Sequence, residues 1–211
     1  MKKKLSVVKG KWFQHTHVSF RDLLSPLFEL WGAGTAGYHY EMFAAAGSLR
    51  IALDYAFQPH QADTVYVATH GTEKYLHAYH EGHRISRTEL VNSVNAARGV
   101  TKRGLHIGSC LFISENNGAF LLKKCPRVLW VAGYSSPVDW IDSSALDLFF
   151  LRHLLFPSPG QGKPKPMRPL DRLDYAVERT RKSMPGLSKD LGFHVFIRKL
   201  GPGASAQDLM L

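Results

Sequence analysis

Hydrophobic and polar positions follow two rhythms along this chain, and the places where the rhythm changes divide it into strands and helices. Residues 4–12 alternate and carry Val7 and Val8, which predicts an opening strand. A polar turn follows at Gln14, His15, Thr16 and His17. Over 18–31 the spacing lengthens to three and four, with Leu23, Leu24, Leu27, Phe28, Leu30 and Trp31 on one stripe interrupted by Pro26. That predicts a helix. A second is predicted over 40–57, where Phe43, Ala46, Leu49, Ile51, Leu53 and Ala56 share a broad face that ends before Pro59. Next comes a short apolar strand, Val65-Tyr66-Val67-Ala68, closed by Thr69-His70-Gly71. A hairpin around Glu81-Gly82 follows, and Ser86-Arg87-Thr88-Glu89 reads as the capping box of a helix. Leu105-His106-Ile107 is a second short strand, closed by Gly108-Ser109-Cys110. Beyond it the pattern predicts a short helix at 119–123, a strand at 128–132, and a loop at 133–139. A long helix over 139–155 is so apolar at 146–151 that it must be well buried. A basic helix over 170–184 and a strand over 193–197 complete the series.

This order of elements argues for an α/β fold: a mainly parallel sheet with helices on both faces. With 211 residues and 45% hydrophobic content the chain closes one good core, so a single domain is expected over 1–200, with a disordered tail at 201–211. Residues 156–169, rich in proline and glycine among lysines, read as a mobile basic loop open to cleavage or regulation. The glycine-rich link from Gly32 to Gly37 follows a helix and lacks the lysine of a phosphate-binding loop, so no nucleotide cofactor is implied. The basic start at Lys2, Lys3 and Lys4 has an apolar run that stops at Val8, too short for a secretory signal, and no run reaches the roughly 18 residues of a membrane helix. A cytoplasmic protein without membrane contact is the expectation, its two cysteines reduced. The net charge of +10 is partly local, with ten Lys or Arg against four Asp or Glu over 163–199. Such a face attracts acidic partners and holds nucleic acid weakly and in a salt-dependent way.

The chemistry lies at two strand ends. A strand, an excursion, a helix and a strand make a crossover, which sets the two strands parallel and places His70 and Cys110 on one edge of the sheet. Ligands of open α/β sheets bind at that edge. A thiol attacks well only as thiolate, and a neighbouring imidazole can take its proton and later give it to a leaving amine. The oxyanion so formed needs backbone donors, for which the N–H groups of Gly71 and Cys110 are the candidates.

An apolar strand plus His-Gly, followed forty positions on by an apolar strand plus Ser-Cys, resembles the caspase-like superfamily of cysteine peptidases. The stretch Gly133-Tyr134-Ser135-Ser136-Pro137-Val138-Asp139-Trp140-Ile141-Asp142 is similar to the loop and helix of its CHAT and separase branch. The resemblance implies a three-layer caspase-like fold, His70 as general acid/base, Cys110 as nucleophile and a protein or peptide substrate. Arginine-specific relatives carry an acidic residue two before the cysteine, where this chain has Gly108. The separase-like pattern makes Asp139 a candidate for the floor of the primary specificity pocket, with Ser135 and Ser136 beside it as substrate-binding residues. Asp139 equally fits a helix N-terminus. By analogy with CHAT proteases, a bacterial defence or regulatory effector switched on by a separate sensor is the expected setting. The alternative is a catalytically silent relative that uses its basic face for nucleic acid or an acidic partner. His77, His80 and His83 stand three apart, but Glu81-Gly82 turns the chain there and no metal site is read.

Overall fold

In the computed structural model the described residues are 4–10, 20–30, 37–58, 62–79, 83–99, 102–157, 167–198 and 206–211. Strand β1 (Leu5–Gly10) leads through α1 (Phe20–Leu30) to β2 (Tyr38–Phe43), and α2 (Ala46–Ala56) leads to β3 (Thr64–Ala68). Three short strands then leave the main sheet, β4 (His70–Gly71), β5 (Tyr75–His77) and β6 (Arg84–Ser86), before α3 (Arg87–Ala96) returns to β7 (Arg103–Gly108). α4 (Glu115–Lys124), β8 (Val128–Tyr134), α5 (Trp140–Leu155), α6 (Pro169–Ser183), α7 (Pro185–Asp190), β9 (Phe193–Arg198) and β10 (Ala206–Asp208) follow.

The main sheet has the order β10-β9-β8-β7-β3-β1-β2. Its five strands from β8 to β2 are parallel, and β9 and β10 add an antiparallel edge. Side chains alternate across each strand. Val8, Val65, Val67, Leu105, Ile107 and Val131 pack on one face against Leu53 of α2, Leu90 and Val94 of α3 and Leu121 of α4. On the other face Leu5, Val7, Tyr66, Trp130 and Tyr134 meet Phe28 of α1, Leu146 and Phe150 of α5 and Leu173 of α6. Both faces are covered, which is why β3 reads as an unbroken apolar run. This is the expected three-layer, mainly parallel, caspase-like α/β architecture. No helix among the described residues is long and apolar enough to cross a membrane.

Two local expectations are corrected and a third, the hairpin, is borne out and extended. Residues 40–57 are not one helix: 38–43 form β2, the edge strand paired in parallel with β1, and only 46–56 are helical. Its exposed Glu41 and Met42 supply polar and apolar positions that counting alone assigns to a helix face. The break is local, because the Ser48 hydroxyl accepts the N–H groups of Ala44 and Ala45 and starts α2 there. The tail is ordered where described, since 206–208 pair with β9 as β10. A three-residue strand carries too few positions to show alternation. The predicted hairpin is a three-stranded unit, because β4 itself pairs with β5. The capping box at Ser86 and Glu89 forms as the sequence implies. His15, His17, the link from Gly32, His80, the turn at Glu81-Gly82 and residues 158–166 lie outside the described residues.

Candidate functional site

Strands β3 and β7 are direct neighbours, and their register pairs Ala68 with Gly108. His70 and Cys110 each stand two residues beyond that pair, so parallel pairing brings the two strand ends level. Both side chains line one cavity of about 80 Å³, together with Tyr66, Thr69, Gly108, Ser109, Val138, Trp140, Ser143, Ser144 and Asp147. The two halves touch closely, for a Cβ added at Gly71 would meet Ser109 Oγ at 1.9 Å and the Cys110 carbonyl oxygen at 3.1 Å. Only glycine fits after this histidine. Thr69 braces the approach to it, its hydroxyl donating to the His77 carbonyl oxygen.

Cys110 is partly exposed, and its thiol lies 3.7 Å from the Val138 carbonyl oxygen as a weak donor. Leu111, just after it, has φ +61°, a left-handed conformation that a leucine holds only where its surroundings impose it. The Leu111 N–H donates to the Ser136 carbonyl oxygen at 3.1 Å, which ties the cysteine turn to the loop after β8. His70 has an exposed edge, yet burial and then the neighbouring His77 ring hold its pKa below the ordinary imidazole value. The neutral ring, a proton acceptor, is thereby favoured. The other thiol contrasts: burial pushes Cys125 up to about 12, with Arg198 opposing.

The structure places the three substrate-binding candidates on the same edge. Asp139 is the N-cap of α5, its Oδ1 accepting the N–H groups of Ile141 at 2.8 Å and Asp142 at 3.2 Å. Its helix-terminus role is thus the one its contacts display. Ser135 Oγ lies 2.8 Å from His194 Nε2, and Ser136 presents its carbonyl oxygen to Leu111.

The carboxylate that lines the cavity is Asp147, two turns farther along α5. Its Oδ2 accepts the Tyr66 hydroxyl at 2.5 Å and its Oδ1 the Tyr134 hydroxyl at 2.6 Å. His106 Nε2 stands 2.9 Å from Oδ1 without the alignment of a hydrogen bond. Burial, then the charge of Asp147, raises both phenols well above the ordinary tyrosine value, so they stay donors. The same Tyr66 explains Gly108, where a Cβ would lie 2.0 Å from the phenol oxygen. The space beside the position two before the cysteine is filled by a tyrosine. Sequence reading passed over Asp147, Tyr66, His106, His194 and Asp208. A lone acid inside the apolar run 146–151, and a lone histidine inside Leu105-His106-Ile107, were the available signals, since such groups are buried only with partners.

No family model and no curated protein matches the sequence. Among solved structures the chain is similar to the X-ray structure of a secreted C11 cysteine protease from Bacteroides thetaiotaomicron in complex with an irreversible peptide inhibitor. The TM-score is 0.54 with 10% identity, over 93% of this chain and 66% of that one, so the chain spans just under two thirds of that protein's length. At this identity the likeness is one of fold. It agrees with the caspase-like architecture and lies outside the CHAT and separase branch that the loop at 133–142 resembles.

Proposed function

We propose that the chain is a caspase-like cysteine endopeptidase. The observation that carries this reading is the lining of one cavity by His70 and Cys110 at the level ends of two adjacent parallel strands. His70 takes the thiol proton as Cys110 Sγ bonds to the scissile carbonyl carbon. The N–H groups of Gly71 and Cys110 are the oxyanion donors. Collapse of the tetrahedral species breaks the C–N bond, and the imidazolium gives its proton to the departing amine, leaving a thioester. Water, deprotonated by His70, then adds to the thioester carbon, and its collapse releases the new carboxyl end and the thiol.

The loop at 133–142 leans to the CHAT and separase branch and the solved neighbour is a C11 protease, so the common reading is adopted. A basic primary-specificity residue would be met by Asp139, the N-cap of α5, or by Asp147, which lines the cavity. A separate activator, or cleavage within 156–169, is the proposed switch, in a regulatory or defence setting. A cytoplasmic location is part of this reading, while the solved neighbour is described as secreted.

The test is acyloxymethyl ketone probes with arginine, lysine and neutral residues at the primary position, read by mass spectrometry. Label on Cys110 that is lost in His70→Ala is expected, and the preferred residue then reports on the two aspartates. Label that ignores His70 would sink the reading.

The pH profile follows from the histidine. Neutral His70 is the base, so kcat/KM holds below the ordinary imidazole value of about 6.5 and falls as pH drops through the lowered value. His77→Gln removes the second cause of the depression, so the acid limb is expected to move up toward 6.5. A limb that stays put, or moves down, would show that His77 does not act on His70.

A further inference from the structure

Ser135, His194 and Asp208 come from three separate parts of the chain and meet in line beside the candidate site. His194 Nε2 lies 2.8 Å from Ser135 Oγ, and its Nδ1 lies 2.5 Å from Asp208 Oδ2. The other oxygen of Asp208 accepts the N–H groups of Val195 at 3.2 Å and Met210 at 3.0 Å, so the carboxylate is fixed on both sides. Its side chain is 7% exposed. A carboxylate only accepts, which assigns a hydrogen to His194 Nδ1. In the neutral ring Nε2 is then an acceptor, and the Ser135 hydroxyl, which also has the Gly192 carbonyl oxygen at 3.3 Å, donates to the nearer ring nitrogen.

This relay continues to the cysteine. Ser135 N–H donates to the Gly192 carbonyl oxygen at 2.9 Å, one residue before β9, and the next carbonyl, that of Ser136, accepts from Leu111 at 3.1 Å. Leu111 is the residue in the left-handed conformation, and Val138 of the same loop faces the thiol. The loop at 135–138 is thus stitched to the cysteine turn on one side and to β9 and β10 on the other. The backbone pairing of β10 with β9 needs neither a carboxylate at 208 nor an imidazole at 194.

We propose that Asp208 and His194 are positioning residues for the peptidase reaction: through Ser135 they hold the 135–138 loop, and through it the Leu111 turn that presents Cys110 and its N–H. The proposal rests on the peptidase reading given above. Neither residue touches the reacting atoms. They act as an outer layer that fixes a site, where a shift of about 1 Å costs up to about a hundredfold in rate.

Asp208→Asn keeps the shape but presents an N–H where the carboxylate accepted, which moves the ring hydrogen to Nε2, reverses the contact with Ser135 and turns the Ser135 hydroxyl hydrogen to the Gly192 carbonyl oxygen. Two readouts test this on the full chain. In ¹⁵N-edited spectra, His194 is expected as the Nδ1–H tautomer in the wild type and as Nε2–H in Asp208→Asn. In the rate at which a peptide acyloxymethyl ketone labels Cys110, Asp208→Asn and Ser135→Ala are each expected to lose about tenfold to a hundredfold, and the double variant no more than either alone. Losses that add in the double variant would mean that Asp208 serves only to hold the edge strand, and they overturn the proposal, as does a tautomer unchanged by Asp208→Asn. His70→Ala, measured in parallel, separates the two readings. A wild-type rate no higher than that of His70→Ala strikes down the peptidase reading and the catalytic use of the relay with it. Additive losses beside an intact dependence on His70 strike down the relay alone.

Discussion

Iodoacetamide at pH 8 will alkylate Cys110 in the folded protein and leave Cys125 intact. Nucleophilic attack draws on the thiolate alone. Cys125, pushed up to about 12 by burial, holds a thiolate fraction of only about one in ten thousand. Steric closure acts in the same direction, because Cys125 is fully buried at the C-terminal end of α4 while Cys110 is partly exposed at the strand edge. Cys125 should therefore react far more slowly than Cys110, and the difference should vanish in concentrated urea, where both thiols are solvated alike. Peptide mapping over a time course measures this directly. Equal native rates, or Cys125 reacting first, would mean that the fold does not present Cys110.

Asp147→Ala should cost about 3–5 kcal/mol of stability, measured by urea unfolding. The carboxylate is the common acceptor for the Tyr66 and Tyr134 hydroxyls, and its removal takes that acceptor from both buried phenols and leaves an emptied space beside His106. Tyr134 keeps a second acceptor in the Ser143 carbonyl oxygen at 3.1 Å. Asp147→Asn keeps the volume and one acceptor oxygen, so it should cost clearly less. A loss under about 1 kcal/mol for the alanine variant would show that water replaces the carboxylate without strain.

The strands that carry the site were legible because they are buried on both faces, so burial writes itself into the sequence as Val65-Tyr66-Val67-Ala68 and Leu105-His106-Ile107. The crossover between them was legible from the capping box at Ser86, a signal that depends on local chemistry alone. β2 was not legible, since an edge strand with one neighbour exposes alternate residues much as a surface helix does. β10 was not legible either. Its position is fixed by pairing with β9 and by Asp208 reaching His194, contacts that no local pattern encodes. The site divides in the same way. Residues at strand ends could be named from topology, whereas Asp147 and the relay of Ser135, His194 and Asp208 depend on side chains from distant segments converging. Asp139 shows the limit from the other side, because its contacts are those of a helix cap, which residue type and spacing had offered as an equal reading.

The small three-stranded unit that holds His70 has a consequence for motion. Cys110 follows β7, a central strand hydrogen-bonded on both sides by β3 and β8. His70 belongs to the two-residue strand β4, held by β5 outside the main sheet. Regions with few ladder bonds open at a fraction of the free energy of global unfolding. A local opening at β4 would part His70 from Cys110, and its cost is set by the burial of Leu76, Ala78 and Ile85 in the core. Under the proposed reading, contacts added to β4–β6 by a bound substrate or a second protein would hold His70 beside Cys110, so the population of that closed arrangement would set the resting rate.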